Sequence, residues 1–143
     1  MMITLDIQHA TESTLPMPDQ EITKWVECAL KPHLETAELT LRFVEEAEIQ
    51  TLNKTYRQKD KPTNVLAFPS DLPDDIKLEY PLLGDVVICP AVLHQESISL
   101  DTPLIAHYAH IIIHGVLHLL GFDHVNENDA HIMEALEINA LSS

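Results

Sequence analysis

Leu104-Ile-Ala-His107-Tyr-Ala-His110-Ile-Ile-Ile-His114-Gly-Val-Leu-His118-Leu-Leu-Gly121-Phe-Asp-His124 reads as an apolar helix with histidines at a helical repeat, a glycine stop and one more histidine. An i, i+4 pair lies one turn apart on a single face, so His114 and His118 are neighbours. Adding His107 and His110 keeps all four rings within about 80° of arc by helical projection. One histidine in such a helix is ordinarily a core residue with a hydrogen bond. Four on one stripe are costly to bury unless a metal or a polar network satisfies them. Gly121 supplies the left-handed backbone that ends a helix and lets His124 turn back toward the pair. Three imidazoles on tetrahedral zinc leave one position open, the arrangement of a catalytic site. The stretch therefore implies a metal-dependent hydrolase with one Zn²⁺ per chain, held by His114, His118 and His124. Three imidazoles also suit nickel, cobalt or iron. His107 and His110, one and two turns back, are expected in supporting or packing roles.

The spacing matches the metzincin pattern His-x-x-x-His-x-x-Gly-x-x-His, with one departure. A metzincin carries glutamate after the first histidine as general base, and this chain carries Gly115. Peptide hydrolysis by that route lacks its proton acceptor. Zinc by itself brings the pKa of a water to about 7, so a substrate that mainly needs charge neutralisation is favoured. Phosphodiesters meet that description.

Around this stretch the chain punctuates cleanly. Met2 to Gln8 alternates as a strand, and Asp19 is placed to cap a helix through Ile22, Trp25, Val26 and Leu30. Glu38 to Val44 alternates again. Glu45 to Tyr56 returns to helical spacing, with Ile49, Leu52 and Tyr56 turned inward. Val65 to Phe68 and Leu82 to Cys89 are short apolar runs stopped by prolines, with a polar loop from Ser70 to Pro81 between them. Helices follow over Ala91–Ile98, Pro103–Leu120 and Asn126–Leu141. The order βαβαββααα implies an α/β (α+β) fold in which a four-stranded mixed sheet is layered with about five helices. With 143 residues, 45% of them hydrophobic, one domain spanning 1–143 has material for a full core.

Charge narrows the partners. A net charge of −15 excludes broad, non-specific adhesion to nucleic acid. Yet Lys54, Arg57, Lys59 and Lys61, four of the eight basic residues, fall in one segment. Such a patch grips a phosphate chain if it adjoins the chemistry; otherwise it is a solvated loop. Arg57 is the candidate for neutralising phosphate charge, since a guanidinium holds two oxygens at once. Asp85 is either a buried hydrogen-bonding carboxylate or a site residue, Asp123 either caps the turn or orients His124, and Asp60 is a turn former. Cys28 and Cys89, far apart among apolar residues, read as two buried thiols in a reducing compartment. The N-terminus has no secretory pattern, and the histidines in Leu104–Phe122 argue against a membrane span. A cytoplasmic, non-membrane protein is the expectation.

Three blocks together resemble the YbeY endoribonucleases. The first is the His114–His124 run quoted above. The second is Leu52-Asn53 through Tyr56-Arg57, Asp60 and Pro62-Thr63-Asn64-Val65-Leu66 to Phe68-Pro69, and the third is Leu83-Gly84-Asp85-Val86 with Ile88. Phe122 stands where tyrosine is common and Ala67 where serine is common; neither is a proposed ligand. The resemblance implies a zinc-dependent, single-strand-specific endoribonuclease acting in 16S rRNA 3′-end maturation and ribosome quality control. It implies His114, His118 and His124 as ligands, Arg57 as the important arginine, and a four-stranded α/β fold with a metzincin-like metal helix. Its partners would be single-stranded RNA of the 16S rRNA precursor and the ribosome or a ribosomal protein, the latter supplying affinity that so acidic a chain lacks. Two other readings stay open on the sequence: a metalloprotease-like peptidase, and a non-catalytic ribosome-assembly factor in which zinc only braces the fold.

Overall fold

The computed structural model describes residues 2–70 and 82–122 together with Ala135, Glu137, Ile138 and Leu141. Its elements run β1 (Met2–Ala10), α1 (Asp19–Leu30), β2 (Thr36–Val44), α2 (Glu46–Arg57), β3 (Val65–Pro69), β4 (Leu82–Ile88), α3 (Pro90–Ser99) and α4 (Leu104–Leu119). The expected order holds. The anticipated helix over 126–141 falls mostly outside the described residues, and the four of its positions that are described are helical.

The sheet is four-stranded and mixed, in the order β1-β2-β4-β3. β1 and β4 both run parallel to β2, while β3 runs antiparallel to β4 and forms an edge. Alternation along the strands gives two apolar faces. Leu39, Leu41, Phe43, Val86 and Ile88 join α1 and α4 in the main core. Val44, Leu66, Val87 and Cys89 face Ile49 of α2 on the other side. α4 lies centrally in the main core because its stripe of Tyr108, Ile112, Ile113 and Val116 is fully buried, each large side chain contributing roughly 1.5–3 kcal/mol.

Two glycines take positive φ values. Gly121 has φ +99 and ends α4: its N–H donates to the His118 carbonyl at 3.0 Å, and the Phe122 N–H donates to the Leu117 carbonyl at 3.1 Å. That paired return is the Schellman stop, and Phe122 and Leu117 join the same core. Gly84 has φ +129, and a Cβ there would lie 2.1 Å from the Phe68 carbonyl oxygen.

Several local expectations are corrected. Asp19 is the first residue of α1 rather than its cap; Pro18 is the cap, and the Asp19 carboxylate instead accepts from His9 Nε2 at 2.8 Å. Tyr56 is 64% exposed and meets Phe68 edge-on, because α2 turns Ile49 and Asn53 inward and its last turn overhangs the sheet. Asp85 is exposed rather than buried, its side chain falling on the α2 face of β4 beside Arg42 and Glu48. Cys89 is buried but Cys28 only half-buried, and both are free thiols. Among the described residues no helix is long and apolar enough to cross a membrane.

Candidate functional site

A cleft of about 590 Å³ opens beside the edge strand β3. α4 forms one wall with His110, His114 and His118, and the segment after α2 forms another with Arg57, Lys59 and Lys61. Residues far apart in the chain meet here because, among the described residues, no strand pairs with β3 on its outer side. α2 ends on one face of the sheet, α4 packs on the other, and the connection from α2 into β3 runs along the edge between them.

That connection is held, not loose. Gln58 takes a left-handed conformation (φ 60) and ends α2, its N–H donating to the Lys54 carbonyl at 3.1 Å. Asn53 is buried, and its Nδ2 donates to the Lys61 carbonyl at 2.9 Å while its own carbonyl accepts from the Lys59 N–H at 3.2 Å. Asp60 is more than a turn former, since it accepts from Gln50 Nε2 at 3.0 Å and pairs with Lys54 at 3.7 Å. Of the four clustered cations, Arg57, Lys59 and Lys61 line the cleft, while Lys54 is engaged with Asp60.

The histidine stripe is realised as a chain of ring contacts: His107 to His110 at 6.5 Å, His110 to His114 at 6.1 Å, His114 to His118 at 4.5 Å. Its members differ in environment. His107 is buried and pairs with Glu96 at 3.0 Å. His114 and His118 bring their Nε2 atoms within 3.0 Å of each other. Two ligands of one tetrahedral zinc at bonds of 2.0–2.1 Å stand about 3.3 Å apart, so this pair fits a shared ion. Asp123 and His124, the third ligand expected from the sequence, lie outside the described residues.

Glu137 is the site residue that the sequence reading missed. It is buried, and its carboxylate accepts from His114 Nδ1 at 2.5 Å and from His110 Nε2 at 3.0 Å. Burial pushes its carboxyl up, but the hydrogen bonds from His110 and His114 and the charge on those rings outweigh this and hold it at about 2. His110 is correspondingly raised, chiefly by its hydrogen bond to Glu137, with desolvation opposing. His110, Glu137 and His114 also form a three-donor group whose ligand atoms lie within 4.8 Å of one another. The only sequence signal was an acidic residue between Leu136 and Ile138, in a segment with helical spacing.

Gly115 faces the sheet, not the cleft. A Cβ there would lie 2.7 Å from Val86 Cγ1 and 3.3 Å from Val65 Cγ2. At the position that carries a base in metzincins, a side chain would have to displace Val86.

Comparison with known proteins agrees over nearly the whole chain. The family described as Endoribonuclease YbeY matches residues 6–143. An endoribonuclease YbeY of Legionella pneumophila (strain Corby) is 54% identical over 142 residues, covering 99% of this chain and 90% of that protein. One from Pseudomonas putida (strain KT2440) is 50% identical over 141 residues, covering 99% and 88%. The solution structure of TM1509 from Thermotoga maritima shares the fold with TM-score 0.62 at 22% identity, over 95% of this chain and 89% of that one.

Proposed function

The chain belongs to the YbeY endoribonuclease family, and on that premise we propose that it is a zinc-dependent, single-strand-specific endoribonuclease acting in 16S rRNA 3′-end maturation and ribosome quality control. The observation that carries the reading is the cleft in which Arg57, Lys59 and Lys61 face His114 and His118. A hydrolase for a polyanion needs its cations beside its metal ligands, and here two distant segments supply them.

The roles follow from the chemistry of the side chains. His114, His118 and His124 would hold the ion through neutral ring nitrogens. An ion so held would supply Lewis-acid polarisation and lower the pKa of water toward neutrality. Arg57 takes two phosphate oxygens in a bidentate grip and neutralises the charge that builds up as phosphorus is attacked. Lys59 and Lys61 hold neighbouring phosphates as point charges. A cleft of about 590 Å³ is the size of a pocket for one small ligand, which favours a flexible single strand over the bulk of a duplex. Gly115 weighs against a peptidase, since it supplies no base and packs closely on Val86. The protein would work in the cytoplasm as one domain over residues 1–143, with a ribosomal protein adding the affinity that a chain of charge −15 lacks for RNA.

The test is cleavage of unstructured RNA by the purified protein, alongside unfolded polypeptide, with zinc measured by elemental analysis. RNA cleavage abolished by a chelator and restored by zinc is expected, and polypeptide should stay intact. Arg57→Ala should lose about 10²–10³-fold in rate at full zinc content. Chelator-resistant cleavage retained by a His114 or His118 variant would point to a contaminating nuclease, and chelator-resistant cleavage by the wild type but not by those variants would overturn zinc dependence. Normal ribosome maturation by a cleavage-dead Arg57→Ala protein would favour the non-catalytic assembly role.

A further inference from the structure

We propose that Glu137 is a positioning residue for His114: one carboxylate oxygen takes the Nδ1 proton of His114, the other is held by His110, and His114 Nε2 is thereby presented beside that of His118. This rests on the reading of His114 and His118 as ligands of one ion.

The tautomer of His114 decides which nitrogen faces an ion. A neutral imidazole has one N–H and one lone pair, so fixing the proton on one nitrogen frees the other. Glu137 Oε1 lies 2.5 Å from His114 Nδ1, which puts the proton there and leaves the lone pair on Nε2. That Nε2 is the atom 3.0 Å from His118 Nε2. His110 Nε2, at 3.0 Å from the second oxygen, stops the carboxylate from swinging away. Burial adds to the effect, because a carboxylate shielded from water makes a stronger contact than an exposed one. A carboxylate behind a ligating histidine fixes ring orientation and raises ligand basicity.

The same atoms rule between this role and direct ligation. His110, His114 and Glu137 have ligand atoms within 4.8 Å of one another, and an ion held among them through His114 Nδ1 would need the lone pair on that nitrogen. A neutral ring cannot give that lone pair and also offer Nε2 to an ion shared with His118. The Nε2 pairing with His118 favours the positioning role.

The experiment measures zinc affinity by chelator competition for the wild type and for Glu137→Gln, Glu137→Ala, His110→Ala and His114→Ala. Imidazole ¹⁵N–¹H correlation spectra of the zinc-free proteins report the tautomers. Glu137→Ala should weaken zinc about 10- to 100-fold, Glu137→Gln by less, and His110→Ala by less than Glu137→Ala. In the wild type the His114 ring should be the Nδ1–H form, and that preference should be lost in Glu137→Ala. Unchanged zinc affinity in both Glu137 variants overturns the proposal. So does a loss in His110→Ala equal to that in Glu137→Ala, which would make both residues ligands. If Glu137→Ala fails to fold, Glu137→Gln is decisive, and failure of both to fold assigns Glu137 to stability alone. Wild-type zinc affinity in His114→Ala would instead sink the metal reading, whatever the Glu137 variants do.

Discussion

Gly115 of α4 lies against Val86 of β4 so closely that a Cβ on the glycine would stand 2.7 Å from Val86 Cγ1. Val86 is fully buried and stiff at χ1, so it has little freedom to yield. α4 can seat its histidine face at the cleft only because the residue after His114 has no side chain.

Gly115→Ala should therefore destabilise the protein. Overpacking costs about 1–3 kcal/mol, which exceeds the roughly 0.8–1 kcal/mol that alanine gains over glycine in a helix. Urea unfolding checks it, and the same change made in a Val86→Ala background should cost clearly less. Equal costs in the two backgrounds would mean that the contact with Val86 is not the cause.

RNA binding by the isolated protein should be weak and salt-dependent. If Arg57, Lys59 and Lys61 each meet one phosphate, log K falls against log salt with a slope of about −2 for a single strand. Arg57→Ala should reduce that slope by about 0.7. Binding measured across a salt series reads both values, and a slope near zero would remove the basic wall from substrate recognition.

Asn53 ties the basic segment to α2 through the Lys61 carbonyl. Asn53→Ala leaves that carbonyl without its donor, at a cost of about 1–3 kcal/mol. Cleavage should fall while zinc content stays full, because the change moves Lys59 and Lys61 but no histidine. Zinc loss in this variant would show that the loop supports the metal helix.

Alkaline pH should unfold the protein earlier than its carboxylates would suggest. Burial pushes the Cys89 thiol above its ordinary 9.0 and the Tyr108 phenol well above its ordinary 10.0. Both groups keep their protons in the folded chain while the unfolded chain loses them. Their contribution is thus complete below about pH 9 and shrinks as pH rises, by up to ~1.4 kcal/mol per unit for each group. Urea midpoints should hold steady to about pH 9 and then drop, and Cys89→Ala should remove the first part of the drop.

Element order and the stop of α4 were legible along the chain, because both rest on local chemistry. Prolines and period-2 or period-3.6 spacing set the elements to within a residue or two, and Gly121 takes the left-handed conformation that its position implied. Tyr56 was misjudged, and the burial of Asp85 was left open, for the opposite reason: periodicity says which residues share a face, not which face the sheet or solvent covers.

The amino-acid order by itself determined the stripe His107, His110, His114 and His118, since residues three or four apart in a helix must be neighbours. It also determined which segment carries the cations. Only the tertiary structure brought Arg57, Lys59 and Lys61 to that stripe, left Gly115 no space beside Val86, and set Glu137 behind His114. Those relations depend on β3 being the outer strand and on how helices pack across a sheet. Such contacts join residues distant in the chain, and no local spacing encodes them.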